Sequence, residues 1–158
     1  MNDIADTTDY VTFNCSGQSF GLPIERVQDV FKPTKITPVP LADPEIAGVL
    51  NLRGRIVTAI DLATRLNLAS RANSATAMAI GIEHRSESFG LLVDEVSEVL
   101  KLPESERESN PINLDHALSR VSAGVFRLDR ELLIVLDVDR ILAARERAPG
   151  EVTSSRDA

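Results

Sequence analysis

The chain contains an internal duplication. Residues 19–32, SFGLPIERVQDVFK, return as residues 88–101, SFGLLVDEVSEVLK, and most positions are identical or chemically equivalent. A second match relates residues 48–62 to residues 124–138. The offset is 69 residues in the first match and 76 in the second. A self-match of this kind predicts that one small module is built twice, and it directs the search for function to the junction between the modules.

The two offsets differ by seven residues. This difference lies in the connecting segment, which covers 33–47 in the first copy and 102–123 in the second. Each copy spans about 65 residues, which is near the lower limit for burying an independent core. We therefore expect the two copies to share apolar surface. Sequence offsets do not assign strand partners, so an exchange of strands between the modules stays open.

The periodicity is mostly that of β-strands. Residues 10–14 alternate between apolar and polar side chains, and Ser16-Gly17 is a turn signal before residues 18–22. In the first copy we predict a hairpin over 10–22, a strand over 27–31, a second hairpin formed by 48–52 and 55–60, and helical turns over 61–66 with Asp61 as N-cap. In the second copy we predict a hairpin of 77–83 with 88–94, a strand over 96–101, a hairpin of 121–128 with 131–136, and a helix over 138–147 capped by Asp137 or Asp139.

About five short strands per copy predict an all-β fold of two small barrels. We place the first barrel at about 10–67 and the second at about 76–138, followed by the C-terminal helix. Both belong to a single domain that covers 9–145. The polar tails 1–8 and 148–158 are predicted to be disordered.

Composition excludes several classes of function. The net charge of −7 argues against a nucleic-acid partner and against an anionic membrane surface. No apolar run approaches the roughly 20 residues of a membrane-spanning helix, and the N-terminus has no signal-peptide pattern. The single cysteine, Cys15, excludes an internal disulfide. These features predict a cytoplasmic protein that does not insert into the membrane.

The sequence contains no convincing active site. His84 and His116, the only histidines, are predicted to be solvated surface residues. Cys15 has no nearby histidine or second cysteine, which favours a buried, small apolar role. Residues 51–54 lack the glycine spacing and the Lys-Ser/Thr pair of a phosphate loop. We therefore predict no enzymatic activity, no metal and no cofactor.

Arg53 interrupts the duplication, because the second copy has Asp129 at the equivalent position. Asp29 lies at a corresponding edge of the first copy. In one interpretation, Arg53 is an ordinary turn residue whose surface ion pair contributes at most about 1 kcal/mol. In the other, Arg53 is a binding anchor at the junction of the modules, since arginine is over-represented among the residues that contribute most to binding at interfaces. Composition does not decide between the two.

Three segments resemble the CheW family of chemotaxis coupling proteins. They are the string IAGVLNLRGRIVTAIDL at 46–62, GLLVDEVSEVL at 90–100, and LLIVLDVDRIL at 132–142, in the order of the family. The resemblance covers about residues 9–145. One departure is Thr58-Ala59, where the family often has Pro-Val, and we expect it to alter local packing only.

The resemblance implies a fold, a function and a set of partners. The fold would be two five-stranded barrels of the SH3-like kind on a shared apolar core. The function would be that of a non-catalytic adaptor in two-component signalling, which links the cytoplasmic tip of methyl-accepting receptors to the regulatory domain of the histidine kinase CheA. It implies a monomer in isolation that assembles into receptor arrays at the inner face of the membrane.

The resemblance also implies a receptor groove of the helix-in-groove type, with valines as its floor and Arg53 as polar anchor. Gly48 and Gly54 would let a partner helix approach the backbone. The implied groove residues are Val27, Asp29, Gly48, Asn51, Arg53, Val96 and Val99. For the kinase we predict contacts at Gly90 and, from the long loop, at Ile112 or Leu114.

Three alternatives stay open. A coupler of a related twitching or gliding kinase would have the same pattern. A fragment of a larger signalling protein, such as a CheV-like coupler or the regulatory domain of the kinase itself, is less favoured because both ends become polar and no receiver domain is visible. A small ligand-binding barrel would be revealed by a retained metal, a cofactor or turnover.

Overall fold

A computed structural model describes residues 6–68 and 77–143. Ten strands carry the fold: β1 Thr7–Cys15, β2 Gln18–Pro23, β3 Asp29–Phe31, β4 Ile46–Leu52, β5 Arg55–Asp61, β6 Met78–His84, β7 Glu87–Val93, β8 Glu95–Pro103, β9 Ser122–Arg127 and β10 Leu132–Leu136. Helices are short: α1 Leu62–Arg65, α2 His116–Val121, and α3, of which residues 138–143 are described. In these two described ranges, no helix is long and apolar enough to cross a membrane.

The strands form two five-stranded sheets with the same plan. Sheet A has the order β8-β1-β2-β10-β9, and sheet B has the order β3-β6-β7-β5-β4. Replacing each strand of sheet A by its duplicate gives sheet B, position by position. In each sheet the central contact is parallel, β10 with β2 and β5 with β7, and the remaining pairs are antiparallel. The prediction of two duplicated five-stranded units with a short C-terminal helix is confirmed.

Each sheet takes strands from both copies. The hairpin β1–β2 of the first copy lies in sheet A with β8, β9 and β10, while β6–β7 of the second copy lies in sheet B. The consecutive division at 10–67 and 76–138 therefore does not describe the sheets, and the strand exchange that the sequence left open is present. The exchange interlocks the copies, because neither sheet is complete without strands of the other copy.

The ends of the chain differ in part from the prediction. Thr7 and Thr8, which fall in the predicted tail 1–8, pair with Pro103 and Leu102 at the start of β1. These two residues extend β1 so that it pairs with β8 as far as Pro103, the last residue of β8. The C-terminal helix is capped by Asp137, whose Oδ1 accepts a hydrogen bond from the Arg140 amide at 3.1 Å. Residues 1–5, 144–147 and the tail 148–158 lie outside the described residues.

The apolar core has three parts that match the duplication. A central core lies between the sheets and includes Phe13, Phe20, Ile60, Ile80 and Leu91. Two smaller clusters belong to one sheet each. They are the sheet A core of Tyr10, Phe126, Leu133 and Val135, and the sheet B core of Leu50, Val57 and Ala59. The central core provides the shared apolar surface that the size of each copy demanded.

The connecting segments are also equivalent, apart from extra residues at two places in the second copy. Thr37 forms an isolated bridge with Val49, and Glu108 forms one with Val125. The offset at these bridges is 108 minus 37, or 71 residues, so two of the seven extra residues precede the bridge and five follow it. The longer stretch after the second bridge holds α2, which the sequence patterns did not predict.

Candidate functional site

The tip of the hairpin β4–β5 presents Arg53. Leu52 and Arg55 are paired, which leaves Arg53 and Gly54 as a two-residue turn with positive φ angles of 53° and 83°. Positive φ at both central residues is the geometry of a type I′ hairpin turn. The Asn51 Oδ1 accepts a hydrogen bond from the Gly54 amide at 2.9 Å, which braces the turn. Arg53 is thus held on a rigid element rather than on a loose loop.

The Arg53 side chain reaches back to Asp29 on β3. Its Nη1 lies 3.3 Å from Asp29 Oδ2, and the two residues are 24 positions apart in the sequence. The Arg53 side chain is 74% exposed, whereas that of Asp29 is 22% exposed. An ion pair this exposed contributes under about 1 kcal/mol to stability. Its consequence is geometric, because it sets the direction in which an exposed guanidinium points.

The three valines of the predicted groove and a fourth, Val30, form two equivalent pairs. Val27 and Val96 are related by the 69-residue offset, and both are half-buried against the central core. Val30 and Val99 are related in the same way, and both are exposed on the edge strands β3 and β8. Val30 was not predicted from the sequence, although its equivalence to Val99 is visible there.

The structure gives the two glycines of the predicted site a different role. A side chain on Gly48 would overlap the carbonyl oxygen of Thr37, and Gly48 has a φ of 148°. The close approach at Gly48 is therefore made by the chain's own connecting segment, and the expectation of room for a partner helix there is wrong. Nothing lies within 4 Å of a Cβ placed on Gly54. The role of Gly54 is to adopt the positive φ that the hairpin turn requires.

The predicted kinase residues are separated by burial. Gly90 is buried in the middle of sheet B, where an added Cβ would lie 3.4 Å from Val57 Cγ1 and 3.5 Å from Phe31 Cζ. Leu114 is half-buried and packs against the central core. Neither has the exposed position that the prediction required, because intramolecular packing already covers both. Ile112 is fully exposed.

His84 is a further correction. It is buried rather than solvated, and its Nδ1 lies 3.1 Å from Asp139 Oδ1. Arg26 completes the cluster with two hydrogen bonds of 3.2 Å to the Asp139 carboxylate. These bonds hold the pKa of the Asp139 carboxyl below its usual range, with a smaller contribution from His84. The sequence signal was missed because Asp139 belongs to α3, which is 55 residues away from His84.

Cys15 and His116, the other two residues that the sequence analysis considered as candidates for chemistry, lie apart from this cluster. Cys15 is buried as predicted, and burial raises the pKa of its thiol to about 12. A thiol with such a pKa is a poor nucleophile at neutral pH. His116 is exposed at the start of α2. Within 6–68 and 77–143, no three His, Cys, Asp or Glu side chains lie together in a way that could hold a metal ion.

Comparison with known proteins agrees with this geometry. Residues 9–146 match the family described as the CheW-like domain. The chain belongs to the CheW family. The CheW resemblance seen in the sequence is thereby confirmed, and so is the prediction of a chemotaxis scaffold.

Individual relatives support the CheW assignment over almost the whole domain. The chain is 31% identical to the chemotaxis protein CheW of Bacillus subtilis, over 84% of this chain and 85% of the relative. It is 28% identical to CheW of Thermotoga maritima, over 90% and 94%. It is also similar to the crystal structure of the scaffolding protein TtCheW from Thermoanaerobacter tengcongensis, with a TM-score of 0.77, 29% identity, and coverage of 85% and 87%.

Proposed function

We propose that this chain couples the cytoplasmic tips of methyl-accepting chemotaxis receptors to the regulatory domain of CheA, and that it does so by binding alone. It would act in the cytoplasm, at receptor arrays on the inner face of the membrane, without an enzymatic reaction and without metal or cofactor. The observation that carries the receptor part is the Asp29–Arg53 pair, which presents a positioned and exposed guanidinium on one copy only.

The surroundings of Arg53 support a helical receptor partner. β5, which follows the turn of Arg53, exposes Ile56 directly opposite Asn51. β3 exposes Val30, whose side chain leaves the strand on the face opposite to that of Asp29. Exposed aliphatic side chains next to a fixed cation are the components of a site that receives the apolar face of an amphipathic helix. Since Arg53 is mostly hydrated in the free protein, its contribution to affinity would arise when the partner excludes water.

A second observation supports the kinase contact. Leu41 and Ile112 are exposed by 103% and 101%, more than any other large apolar residue in the described part of the chain. They are 71 residues apart, which is the offset of the two bridges, and each follows a proline, Pro40 or Pro111. Each copy therefore presents one fully exposed aliphatic side chain four residues after the bridge residue, Thr37 or Glu108.

Two equivalent apolar contact points suit a protein that has to bind two homologous neighbours. A domain with the same duplicated fold could receive one contact point at each end of this chain, which would link it into a chain or a ring. We therefore propose Leu41 and Ile112 as the kinase contacts, in place of Gly90 and Leu114. Leu41→Asp and Ile112→Asp should each weaken binding to CheA, by about 10-fold or more, and leave receptor binding intact.

The test of the coupling function is reconstitution. The protein is mixed with receptor-containing membranes and CheA, the membranes are sedimented, and kinase activity is measured in the pellet. We expect the chain to sediment with the receptors, to bring CheA with it and to raise kinase activity. A chain that sediments with neither partner would contradict the proposal. Native mass spectrometry should give the mass of the bare chain, and a stoichiometric metal or nucleotide would contradict the claim of binding alone.

A further inference from the structure

We propose that Gly81 is a positioning residue of the receptor site, which holds the Asp29 carboxylate in the orientation that presents Arg53. The inference rests on the proposed function and adds a residue that does not itself contact the partner. Gly81 lies on β6, directly opposite Asp29 on β3.

The side chain of Asp29 lies across Gly81. A Cβ built on Gly81 would overlap Asp29 Oδ1, and it would lie 3.4 Å from Asp29 Cγ. The carboxylate therefore occupies the space that any other residue at position 81 would need. From this place Asp29 Oδ2 reaches Nη1 of Arg53 at 3.3 Å. The direction of the carboxylate, and with it that of the guanidinium, follows from the missing side chain.

The other oxygen of Asp29 shows that this arrangement has a cost. Asp29 Oδ1 is buried and finds no hydrogen-bond partner among the described residues. A buried carboxylate oxygen without a donor is unfavourable, and it is uncommon enough to require an explanation. The stability of the fold does not explain it, because the exposed ion pair with Arg53 contributes little free energy. Presentation of Arg53 to a partner does.

The backbone does not explain Gly81 either. Gly81 is not among the residues with positive φ, so its conformation is open to any amino acid. Glycine inside a strand weakens the strand and usually marks a close approach by another group. Here that group is the Asp29 carboxylate. The residue just before β3 also contacts Gly81, because the Gln28 amide donates a hydrogen bond to the Gly81 carbonyl oxygen at 2.7 Å.

Sheet A, which holds the equivalent strands, lacks the arrangement. The counterpart of Gly81 is Thr12, whose hydroxyl donates to the carbonyl oxygen of Glu98 at 2.6 Å. Glu98 is the counterpart of Asp29, and its side chain is exposed instead of folded across the sheet. Together with Asp129 in place of Arg53, the copies differ at all three positions of this group. A glycine that only served packing would have no reason to differ together with the ion pair.

The experiment is a double-mutant cycle read by binding to an immobilised cytoplasmic fragment of a methyl-accepting receptor. Gly81→Ala should weaken binding by about 10-fold, which corresponds to about 1.4 kcal/mol. Asp29→Ala should weaken it similarly, and the double variant should bind like Asp29→Ala alone, because the new methyl group then meets no carboxylate. Gly21→Ala is the matched control. It adds the same methyl group to a buried strand glycine of sheet A, 3.3 Å from Leu133 Cδ2, and should leave binding unchanged.

The outcomes separate this inference from the proposed function. If Gly81→Ala binds like the unmodified protein while Arg53→Glu does not, the positioning role is wrong and the receptor site stands. If the unmodified protein fails to bind the fragment, the proposed function fails, and this inference fails with it. If Gly81→Ala does not fold, the double variant should fold and bind like Asp29→Ala. A double variant that stays unfolded, or that binds more weakly than Asp29→Ala, overturns the proposal.

Discussion

The turn between β4 and β5 and the turn between β9 and β10 occupy the same place in the two copies, yet they carry opposite charges at one equivalent position. The first carries Arg53, directed by Asp29 on β3, the edge strand on the other side of sheet B. The second carries Asp129 at the equivalent position. The strands below the two turns are paired in the same way. The residues that the copies share therefore build the fold. The positions at which the copies differ indicate surfaces that only one copy provides.

A second group of differences lies at the junction of the sheets. His84 binds Asp139 in the second copy, and the equivalent positions of the first copy hold Cys15 and Ala63. Both apolar residues belong to the central core. The same place is thus polar and hydrogen-bonded at one end of the junction and apolar at the other. Because each alternative is satisfied by its own neighbours, the symmetry of the backbone tolerates both.

The largest expected effect, on receptor affinity, comes from reversing the charge at position 53, where the two copies differ. Arg53→Glu should reduce receptor affinity by about 30-fold to several thousand-fold, or roughly 2–5 kcal/mol, because the anchor is replaced by a like-charged neighbour of Asp29. Stability should change by under about 1 kcal/mol, since the pair is exposed. Receptor binding, kinase activation and a thermal melt measure both quantities.

Arg130→Glu is the matched control for that variant, because Arg130 is an exposed arginine of the equivalent turn. It should leave receptor binding unchanged. Asp29→Ala should cause a milder defect than Arg53→Glu, and the two changes should not add, because they disturb one pair. If folded Arg53→Glu protein couples normally, Arg53 is not part of the receptor site, and only the valines of the predicted groove remain.

An intermediate effect tests what the copies share. Gly48→Ala should destabilise the protein by about 2–4 kcal/mol, because the new side chain meets the Thr37 carbonyl and the backbone conformation is close to glycine-only. Gly124→Ala should behave alike, since its added Cβ would lie 2.9 Å from the carbonyl oxygen of Glu108. Chemical denaturation measures both free energies of unfolding.

Gly17→Ala is the control for those variants. Gly17 also has a positive φ, of 83°, but nothing lies within 4 Å of its added Cβ. It should cost only the conformational strain, about 1 kcal/mol. Equal losses for Gly48→Ala and Gly17→Ala would show that the connecting segment yields, and that its close approach to β4 is not a fixed part of the module.

The smallest effect concerns Cys15, the apolar counterpart of His84. Burial raises its pKa from 9.0 to about 12, so the folded state holds the proton more tightly than the unfolded state. The stability that results is complete below pH 9 and is lost as the pH rises towards 12, at about 1.4 kcal/mol per pH unit. Cys15→Ala should remove this loss between pH 9 and 10.

A residual alkaline loss should remain in that variant. Tyr10 is buried as well, and burial together with its hydrogen bond to Glu104 raises the pKa of the phenol from 10.0 to about 12. Its contribution therefore begins only above pH 10. Urea midpoints measured at intervals from pH 8 to pH 11 distinguish the two groups. Coincident profiles for Cys15→Ala and the unmodified chain would contradict a buried, protonated thiol.

The sequence by itself determined the strands, the helices α1 and α3, and their duplication, but not α2. Alternating side chains and turn residues are local signals, so the hairpins, the cap of α3 at Asp137 and the equivalence of the two copies could be predicted from them. Asp61 takes the N-cap position of α1, but its side chain makes no capping hydrogen bond. A role for Arg53 in one copy only could also be anticipated, because the second copy has Asp129 at the equivalent position. The identity of the family followed from the same segments, since their combination and order are specific.

Only the tertiary structure decided which strands share a sheet, and which groups come to face one another. Strand partners depend on contacts between distant residues, and a repeat predicts equivalent pairings without assigning a hairpin to one sheet or the other. The same limit hid the burial of Gly90 and the bond from His84 to Asp139. It also hid the room that Gly81 leaves for Asp29, because a missing side chain gains its meaning only from the group that fills its place.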